Sequence, residues 1–429
     1  MKAVTRCIIF LLFVVLLGQA AHADVVPGET IDKTNYQKIE GLVPDFIVTW
    51  VKNGDMTMKI GKLKFDNQKY FDQETLDNWQ ANIGRYKIDE NNGIIDVKTG
   101  KPARYIKGLA FPEPNPKDPT LPVQLMWANM LNSYYLQGDT HAMGYWLSFS
   151  RKGLEKTLVL EDLSHIFDPS KSDFDFAQLS VFRQPYSMAG TGTLALYPIY
   201  PLGIGDRFAY APELKRVRRM SHRLTGSDVY FGFDQAPDDS WVGGPKTNTD
   251  EGIYRYIGEK EALVPYLLDT PLKLKTEDKF IGCGYAETGF EIKVGSETPG
   301  WTGAPWHVTN VIWVKSKVWI IESKSKKSTY NYGPCEGWVE QKTFSHCYKR
   351  ITDPSGKLWK GFYWPALPIE TTDGKFKGIQ NEGQVVVDMR RDHGSSFPGA
   401  YTKGGFKKIM IKDTNETLFT RGGFIKFYK

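Results

Sequence analysis

The residues that could carry chemistry in this chain are dispersed, so their spacing decides what they can do. Two carboxylate pairs invite attention, Asp228 with Asp234 and the adjacent Asp238 and Asp239. Glycoside hydrolysis needs two carboxyls a few ångströms apart, one as acid and one as base or nucleophile. Sequence adjacency does not establish that geometry, and acidic turns supply such neighbours routinely. A hydrolase with a carboxylate-based site is therefore the alternative reading. The seven histidines are scattered, and only His346 has a suggestive neighbour, Cys347. The chain has no G-x-S-x-G elbow, H-E-x-x-H, P-loop, C-x-x-C-H, or G-x-G-x-x-G at a strand-to-helix junction. Residues 89–93 (DENNG) resemble a calcium loop only faintly. Their Gly comes one position early, no Glu stands at the twelfth position, and the stretch reads as a hairpin turn. The expectation is a protein that binds without catalysing, with no metal and no cofactor.

The densest cationic group is Arg216, Arg218, Arg219 and Arg223, within GDRFAYAPELKRVRRMSHRLTGSDVY at 205–230. Two alternating runs meet there at a turn through Pro212, the pattern of a β-hairpin. Phe208 and Tyr210 then share one face, with Val217 on the partner strand able to cover it. Alternation sends Arg216 and Arg218 to one face and Arg219 to that of Val217. A solvated strand edge is the bland reading of these arginines. The sharper one sets Arg219 against an acid such as Asp228, or against a ligand head group.

The elements that must position these groups belong to a globular, aromatic-rich chain: 429 residues, 41% hydrophobic, 14% aromatic and 24% charged. Residues 1–23 read as a secretory signal: a basic start with Lys2 and Arg6, an apolar run from Cys7 to Leu17, and Ala21-His22-Ala23 before the cut. About eleven apolar residues fall short of the roughly 20 that span a bilayer. Cys7 precedes that run, so it is not a lipid-attachment cysteine. Removing 1–23 lowers the formal charge from +6 to +4, because it takes two cations and no acid. That balance speaks for solubility and against a nucleic-acid partner. Export implies an oxidising compartment, where Cys283, Cys335 and Cys347 are an odd number. Three pairings are open, and the one expected is Cys335 with Cys347, which flank a turn, leaving Cys283 free.

Residues 24–54 read as helical, with Thr34 capping a short helix and Pro44 opening a buried one; that second helix is either plain core or a lid across a cavity mouth. A strand at 56–65 and an amphipathic helix at 73–81 follow. The proline-dense connector 108–119 forbids helix, and a further helix starts near 125. Thereafter strands dominate in consecutive hairpins: 144–150 with 154–160, 179–186 with 193–200, the arginine hairpin, and 308–314 with 318–323 about Lys315-Ser316-Lys317. A turn at 353–357 precedes a strand at 358–364, with more strands at 385–388 and 422–428. Hairpins at this rhythm predict a mainly β (α+β) fold, a large curved antiparallel sheet forming an incomplete barrel with helices as plug or lid. Residues 132–429 form the sheet, and 24–131 supply helices, short strands and the connector, as one continuous domain with it.

Several spaced segments together carry a family resemblance: Gly108 with Phe111-Pro112; Asp118-Pro119 and Met126-Trp127; Tyr210-Ala211-Pro212 with Arg216 to Arg219; Thr225 to Asp228; Gly258, Glu261 and Val264-Pro265-Tyr266; Val318 to Glu322; and Asp353 to Trp359. In this order they resemble the exported bacterial proteins of domain of unknown function 1329, across nearly the whole mature chain. This sequence departs from the pattern at Ala128 before Asn129 and in its cysteines. That family is grouped with the periplasmic lipoprotein-localisation carriers and receptors, LolA and LolB. The resemblance implies an open barrel with an apolar cavity, in the periplasm or on the periplasmic face of the outer membrane of a Gram-negative bacterium. It also implies a carrier or acceptor of a lipid or other hydrophobic ligand, working with outer- or inner-membrane transport proteins. A structural part of an envelope transport complex is the other alternative. Strand parity places Phe208, Tyr210, Val217, Trp313, Trp319, Ile321 and Trp359 on the concave face, with Arg219 as head-group contact. A one-residue register error would turn them all outward.

Overall fold

The computed structural model describes residues 24–68, 70–104, 106–131, 137–168, 170–198, 205–220, 232–236, 239, 252–277, 284–287, 289–402, 404–412 and 414–427. The signal segment 1–23, Arg223, Asp228, Asp238 and Cys283 lie outside the described residues. The N-terminal part holds β1 (Thr30–Ile31), a 3-10 turn at Tyr36–Ile39, α1 (Asp45–Lys52), β2 (Met58–Ile60), α2 (Gln73–Asn82), β3 (Tyr86–Ile88), β4 (Ile94–Asp96) and α3 (Leu121–Met130). Strands β5 (Thr140–Ser150), β6 (Gly153–Ile166), β7 (Phe174–Gln184), β8 (Gly192–Pro198), β9 (Asp206–Ala211) and β10 (Arg216–Arg219) come next. They are followed by β11 (Gly252–Tyr266), β12 (Leu272–Glu277), β13 (Gly284–Glu287), β14 (Ile312–Ser325), β15 (Cys335–Glu340), β16 (His346–Thr352) and β17 (Leu358–Tyr363). The chain ends with β18 (Ala366–Thr371), β19 (Lys377–Asn381), β20 (Gln384–Asp388), β21 (His393–Gly399), β22 (Phe406–Ile409) and α4 (Arg421–Phe427).

Local chemistry explains most boundaries. Pro44, extended at φ −60° and ψ 149°, opens α1, and Gly54 at φ +78° lies just past its end. Asp72 caps α2 by accepting from the Thr75 amide at 2.9 Å. Asp118 accepts from the Thr120 amide and from Gln124 Nε2, both at 2.8 Å, where the proline connector gives way to α3. The stretch before α1 is less helical than the sequence implies. Gly28 at φ +95° and Gly41 at φ +77° interrupt it, leaving β1 and one 3-10 turn.

Two expectations for the strands are corrected. Lys315-Ser316-Lys317 is not a turn but the middle of the single fourteen-residue β14, which pairs with β11 across Leu263, Ala262 and Glu261. Ser316 is only a weak turn former and no Gly, Pro, Asn or Asp stands beside it, so pairing with β11 continues through the three residues. The C-terminal stretch is the helix α4 rather than a closing strand. Phe424 on α4 buries beside Phe419, Phe208 and Tyr210, a packing that one helical face satisfies.

The sheet runs through antiparallel neighbours β11, β14, β15, β16, β17, β20, β21, β5, β6, β7, β8, β9 and β10. A second limb leaves β5 through β22, β13, β12, β18 and β19, with β12 and β18 parallel. Among the described residues the limbs touch at a single residue pair, Tyr266 with Ala366, with no continuous ladder to close them. The result is a large, curved, mainly antiparallel wall that is not closed, with helices against it, as the hairpin rhythm predicts. β2 lies parallel on β14, tying the N-terminal part into the same sheet.

Each face of the wall has its own cover. Tyr363, Val385 and Val387 look into the main core, which contains Phe46, Ile47, Trp50 and Val51 of α1. The intervening Phe362 and Val386 look the other way, into a cluster capped by Phe233. A Cβ at Gly361 would lie 2.8 Å from the Phe46 ring, so this glycine is the slot in which α1 sits.

Candidate functional site

The seat of α1 is built mostly from rings. Trp50 stands 4.9 Å from the His307 ring and 6.5 Å from Tyr363, and His307 stacks on Tyr363 at 5.9 Å. Trp313 lies 5.7 Å from Tyr363 and is stacked 6.3 Å from Tyr348. Its polar ties are few. The Leu263 amide donates to the Leu42 carbonyl at 2.8 Å, and the Ala304 amide to the Asp55 carbonyl at 2.8 Å. Arg151 grips the Asp55 carboxylate and, at 2.8 Å, Asp392, while its guanidinium lies 4.9 Å from the Trp306 ring. Burial, with the Arg151 cation nearby, pushes the His307 pKa down to about 3, so this imidazole is neutral at ordinary pH. Tyr363 accepts from the Val308 amide at 3.0 Å, and burial drives its pKa up.

The opposite face is pinned by charge. Asp234 accepts from Ser395 Oγ at 2.6 Å and faces His393 Nδ1 at 2.7 Å, with Arg391 3.6 Å away. The hydrogen bond with Asp234 raises the His393 pKa despite burial. Asp239 takes Lys360 Nζ at 2.7 Å and the Ala236 amide at 2.7 Å; Lys349 donates to its carbonyl at 3.0 Å. Lys360 also reaches Tyr332 Oη at 2.7 Å. Asp234, His393 and Ser148 stand in the order of a nucleophile relay, with Ser148 Oγ 3.4 Å from His393 Nε2. Ser148 is only 2% exposed, however, and Glu155 claims the same nitrogen at 3.3 Å. A histidine held between two carboxylates acts as a clamp, so this group fastens 232–236 and Asp239 to the sheet. Of the carboxylates singled out in sequence, Asp234 and Asp239 are both engaged in this fastening.

The structure spreads seven of the eight anticipated contact residues over four clusters and leaves Arg219 outside them. Trp313 alone lines the α1 seat. Trp319 and Ile321 pack with Phe344 and with Trp79, Leu121 and Leu125 of α2 and α3. Phe208 and Tyr210 lie under α4, with half-buried Val217 against them. Register sets Val217 opposite Tyr210 and Arg219 opposite Phe208. Arg219 is exposed and pairs with Asp206. Trp359 is half-buried, with Arg390 4.0 Å over its ring and its indole N–H donating to Asp388 at 3.2 Å. Phe46, Trp50, His307, Gly361 and Tyr363 were missed as a group. The apolar run 46–51 was the one signal for them, because the partners come from distant strands and loops.

The expected Cys335–Cys347 disulfide is corrected: both thiols are buried and they are not joined to each other. Cys335 pairs with Ile351, four residues along β16 from Cys347, or roughly 13 Å, against the ~7 Å limit for bridged Cα atoms. The two also belong to different clusters, Cys335 with Phe362 and Cys347 with Tyr348.

Two open grooves lie among the described residues. One of about 620 Å³ includes Asp72, Glu74, Lys107, Asp139, Asp168 and Glu416, and one of about 370 Å³ includes Lys87, Phe111, Glu113 and Asp118. Both have mixed polar linings, unlike the α1 seat. Among the described residues no three metal-capable side chains converge, and no helix is long and apolar enough to cross a membrane.

An unclosed antiparallel wall wrapped on a ring-lined helix seat defines a β-rich half-barrel class. Within it, residues 30–420 match the family described as Protein of unknown function (DUF1329), and the chain belongs to that family. No curated protein matches the chain. Among solved structures it is similar to a domain of Vibrio parahaemolyticus described as an outer membrane lipoprotein-sorting protein, at 15% identity and TM-score 0.47, covering 73% of this chain and 100% of that one. A DUF1329 family protein from Desulfovibrio piger is similar at 15% identity and TM-score 0.41, covering 67% and 91%. A LolA superfamily protein from Nitrosomonas europaea is similar at 11% identity and TM-score 0.40, covering 70% and 98%.

Proposed function

We propose that this protein is a non-enzymatic carrier or acceptor of a lipid or other hydrophobic ligand in the cell envelope. It acts after removal of residues 1–23, in the periplasm or on the periplasmic face of the outer membrane, with 24–429 as one unit and membrane transport proteins as partners. The observation that carries this reading is the α1 seat. Phe46, Ile47, Trp50 and Val51 are all at most 3% exposed, and the helix is held largely by apolar contact. Burying four such side chains contributes about 2 kcal/mol each. An acyl chain gains about 0.8 kcal/mol per methylene, so some ten methylenes match the helix face. A ligand of ordinary chain length can therefore exchange with α1 at little net cost, with Trp313, Tyr363 and His307 as the lining it meets.

Organic extraction of the purified protein followed by mass spectrometry tests the reading, together with displacement of a fluorescent fatty acid. Expected are a co-purified lipid and a probe signal that Trp50→Glu abolishes. Finding no lipid and no probe binding in the parent protein would refute it.

A further inference from the structure

Three hairpin turns lie at one end of the sheet. Register sets Ser150 opposite Gly153, Gln184 opposite Val159, Val181 opposite Gly192, Gly192 opposite Tyr210, and Ala211 opposite Arg216. The turns β5–β6, β7–β8 and β9–β10 therefore point the same way. A large apolar side chain is exposed on or just after each turn: Leu154 at the start of β6 at 50%, Tyr186 at 96% and Leu214 at 50%. The last two turns touch, since a Cβ at Gly190 would stand 3.0 Å from Pro212. Leu154 projects about five residues, roughly 17 Å, farther along the sheet.

Cations predominate at this end, although Glu155 and Asp392 are exposed beside the β5–β6 turn. Lys152, Lys215, Arg216 and Arg218 are exposed, and among the described residues none of them forms an ion pair; Glu213 is the one exposed acid on the β9–β10 turn. Lys215 sits in the left-handed conformation at φ +47°, which turns the chain from Leu214 into β10. An exposed tyrosine beside an exposed leucine, collared by cations, is unfavourable in water and complementary to an interface of anionic head groups over acyl chains.

We infer that this hairpin end docks the protein onto an anionic phospholipid surface, through Tyr186 and Leu214 at the apolar boundary and Lys215, Arg216 and Arg218 among the head groups. This surface is separate from the α1 seat and requires no ligand there. Each cation near such a surface is worth about fivefold in partition. The test is flotation of the purified protein with vesicles of phosphatidylglycerol and phosphatidylethanolamine, against phosphatidylcholine alone, at low and high salt. Two variants, Y186S/L214S and K215E/R216E, carry the same N-terminus as the parent, so any difference reads the hairpin end. The parent should partition to anionic vesicles at low salt and lose that binding in high salt. The charge variant should fall by at least about twentyfold and the apolar variant by about tenfold, with unchanged urea midpoints. Absence of flotation, equal flotation of both variants and parent, or capture of a protein partner without vesicle binding would each overturn the proposal.

Discussion

Acidification should loosen α1, and His307 is the group that makes it do so. The imidazole is fully buried between Trp50 of α1 and Tyr363 of the wall, and its pKa is driven from 6.5 to about 3 by burial and by Arg151. In the unfolded chain it takes a proton near 6.5. Between those values the unfolded state binds more protons than the folded one, so stability is complete above about pH 6.5 and falls as pH drops. The slope is about 1.4 kcal/mol per pH unit for one proton, which makes the loss roughly 2 kcal/mol by pH 5. Against a total stability of about 5–15 kcal/mol that is a substantial fraction.

Other groups titrate in the same window. His346, also lowered to about 3, adds the same sign. Asp162, raised to about 6, opposes it, because below that pH the folded state holds the extra proton. His393 opposes it too: with its folded pKa raised, its stabilisation is fully present below about pH 6.5 and is lost as pH climbs through the folded value. The comparison of parent with His307→Phe removes these shared contributions, and phenylalanine keeps the stack between Trp50 and Tyr363. Urea titrations followed by tryptophan fluorescence, from about pH 7.5 to about pH 4.5, should give lines that diverge by about 1.4 kcal/mol per unit below pH 6.5. Parallel lines would mean that His307 is not buried neutral and that the seat is wrongly drawn.

Gly361→Ala should lower stability by about 1–3 kcal/mol, because the new methyl meets the Phe46 ring at 2.8 Å, and Phe46→Leu in the same chain should restore part of it in thermal melts. Lys360→Met leaves the Asp239 carboxylate buried without its cation and should cost about 3–5 kcal/mol by urea denaturation, whereas K360M/D239L should recover most of that loss. Cys335 and Cys347 should resist alkylation in the folded protein and both take the label once it is unfolded, as read by peptide mass; a mixed peptide joining the two would refute the strand register.

The alternating runs made the wall legible. Phe208, Tyr210 and Val217 fall on the shared face that period-two alternation assigns them, with the hairpin turn at Pro212. Alternation cannot say what covers a face, however. The partner of Phe208 and Tyr210 is α4, whose RGGFIKF also reads as a strand because Phe424, Ile425 and Phe427 are good strand formers. Lys315-Ser316-Lys317 looked like a turn because charge interrupts an apolar run, yet length and the facing β11 decide the matter in favour of one strand. The α1 seat was least legible, since Trp50, His307 and the Gly361–Tyr363 stretch of β17 come from three distant places along the chain, and Gly361 matters through the side chain it lacks.

The chemistry of the two faces decides where an apolar ligand would enter. On the outer side, Phe233 is carried by a segment whose Asp234 and Asp239 are engaged by His393, Lys360 and Lys349. A lipid chain that displaced this segment would leave Lys360, 1% exposed, without a carboxylate in an apolar site, and no methylene compensates for that. On the inner side, displacement of α1 exchanges one apolar contact for another. Among the described residues the one charged tie broken there, Arg151 with Asp55, is 43% exposed at the arginine, and Arg151 keeps Asp392 as a second partner. Water can take up both of its ends, so rupture costs of order 1 kcal/mol. The inner face is thus the one that a hydrophobic ligand can occupy without stranding a charge, and competition between α1 and ligand should appear there first.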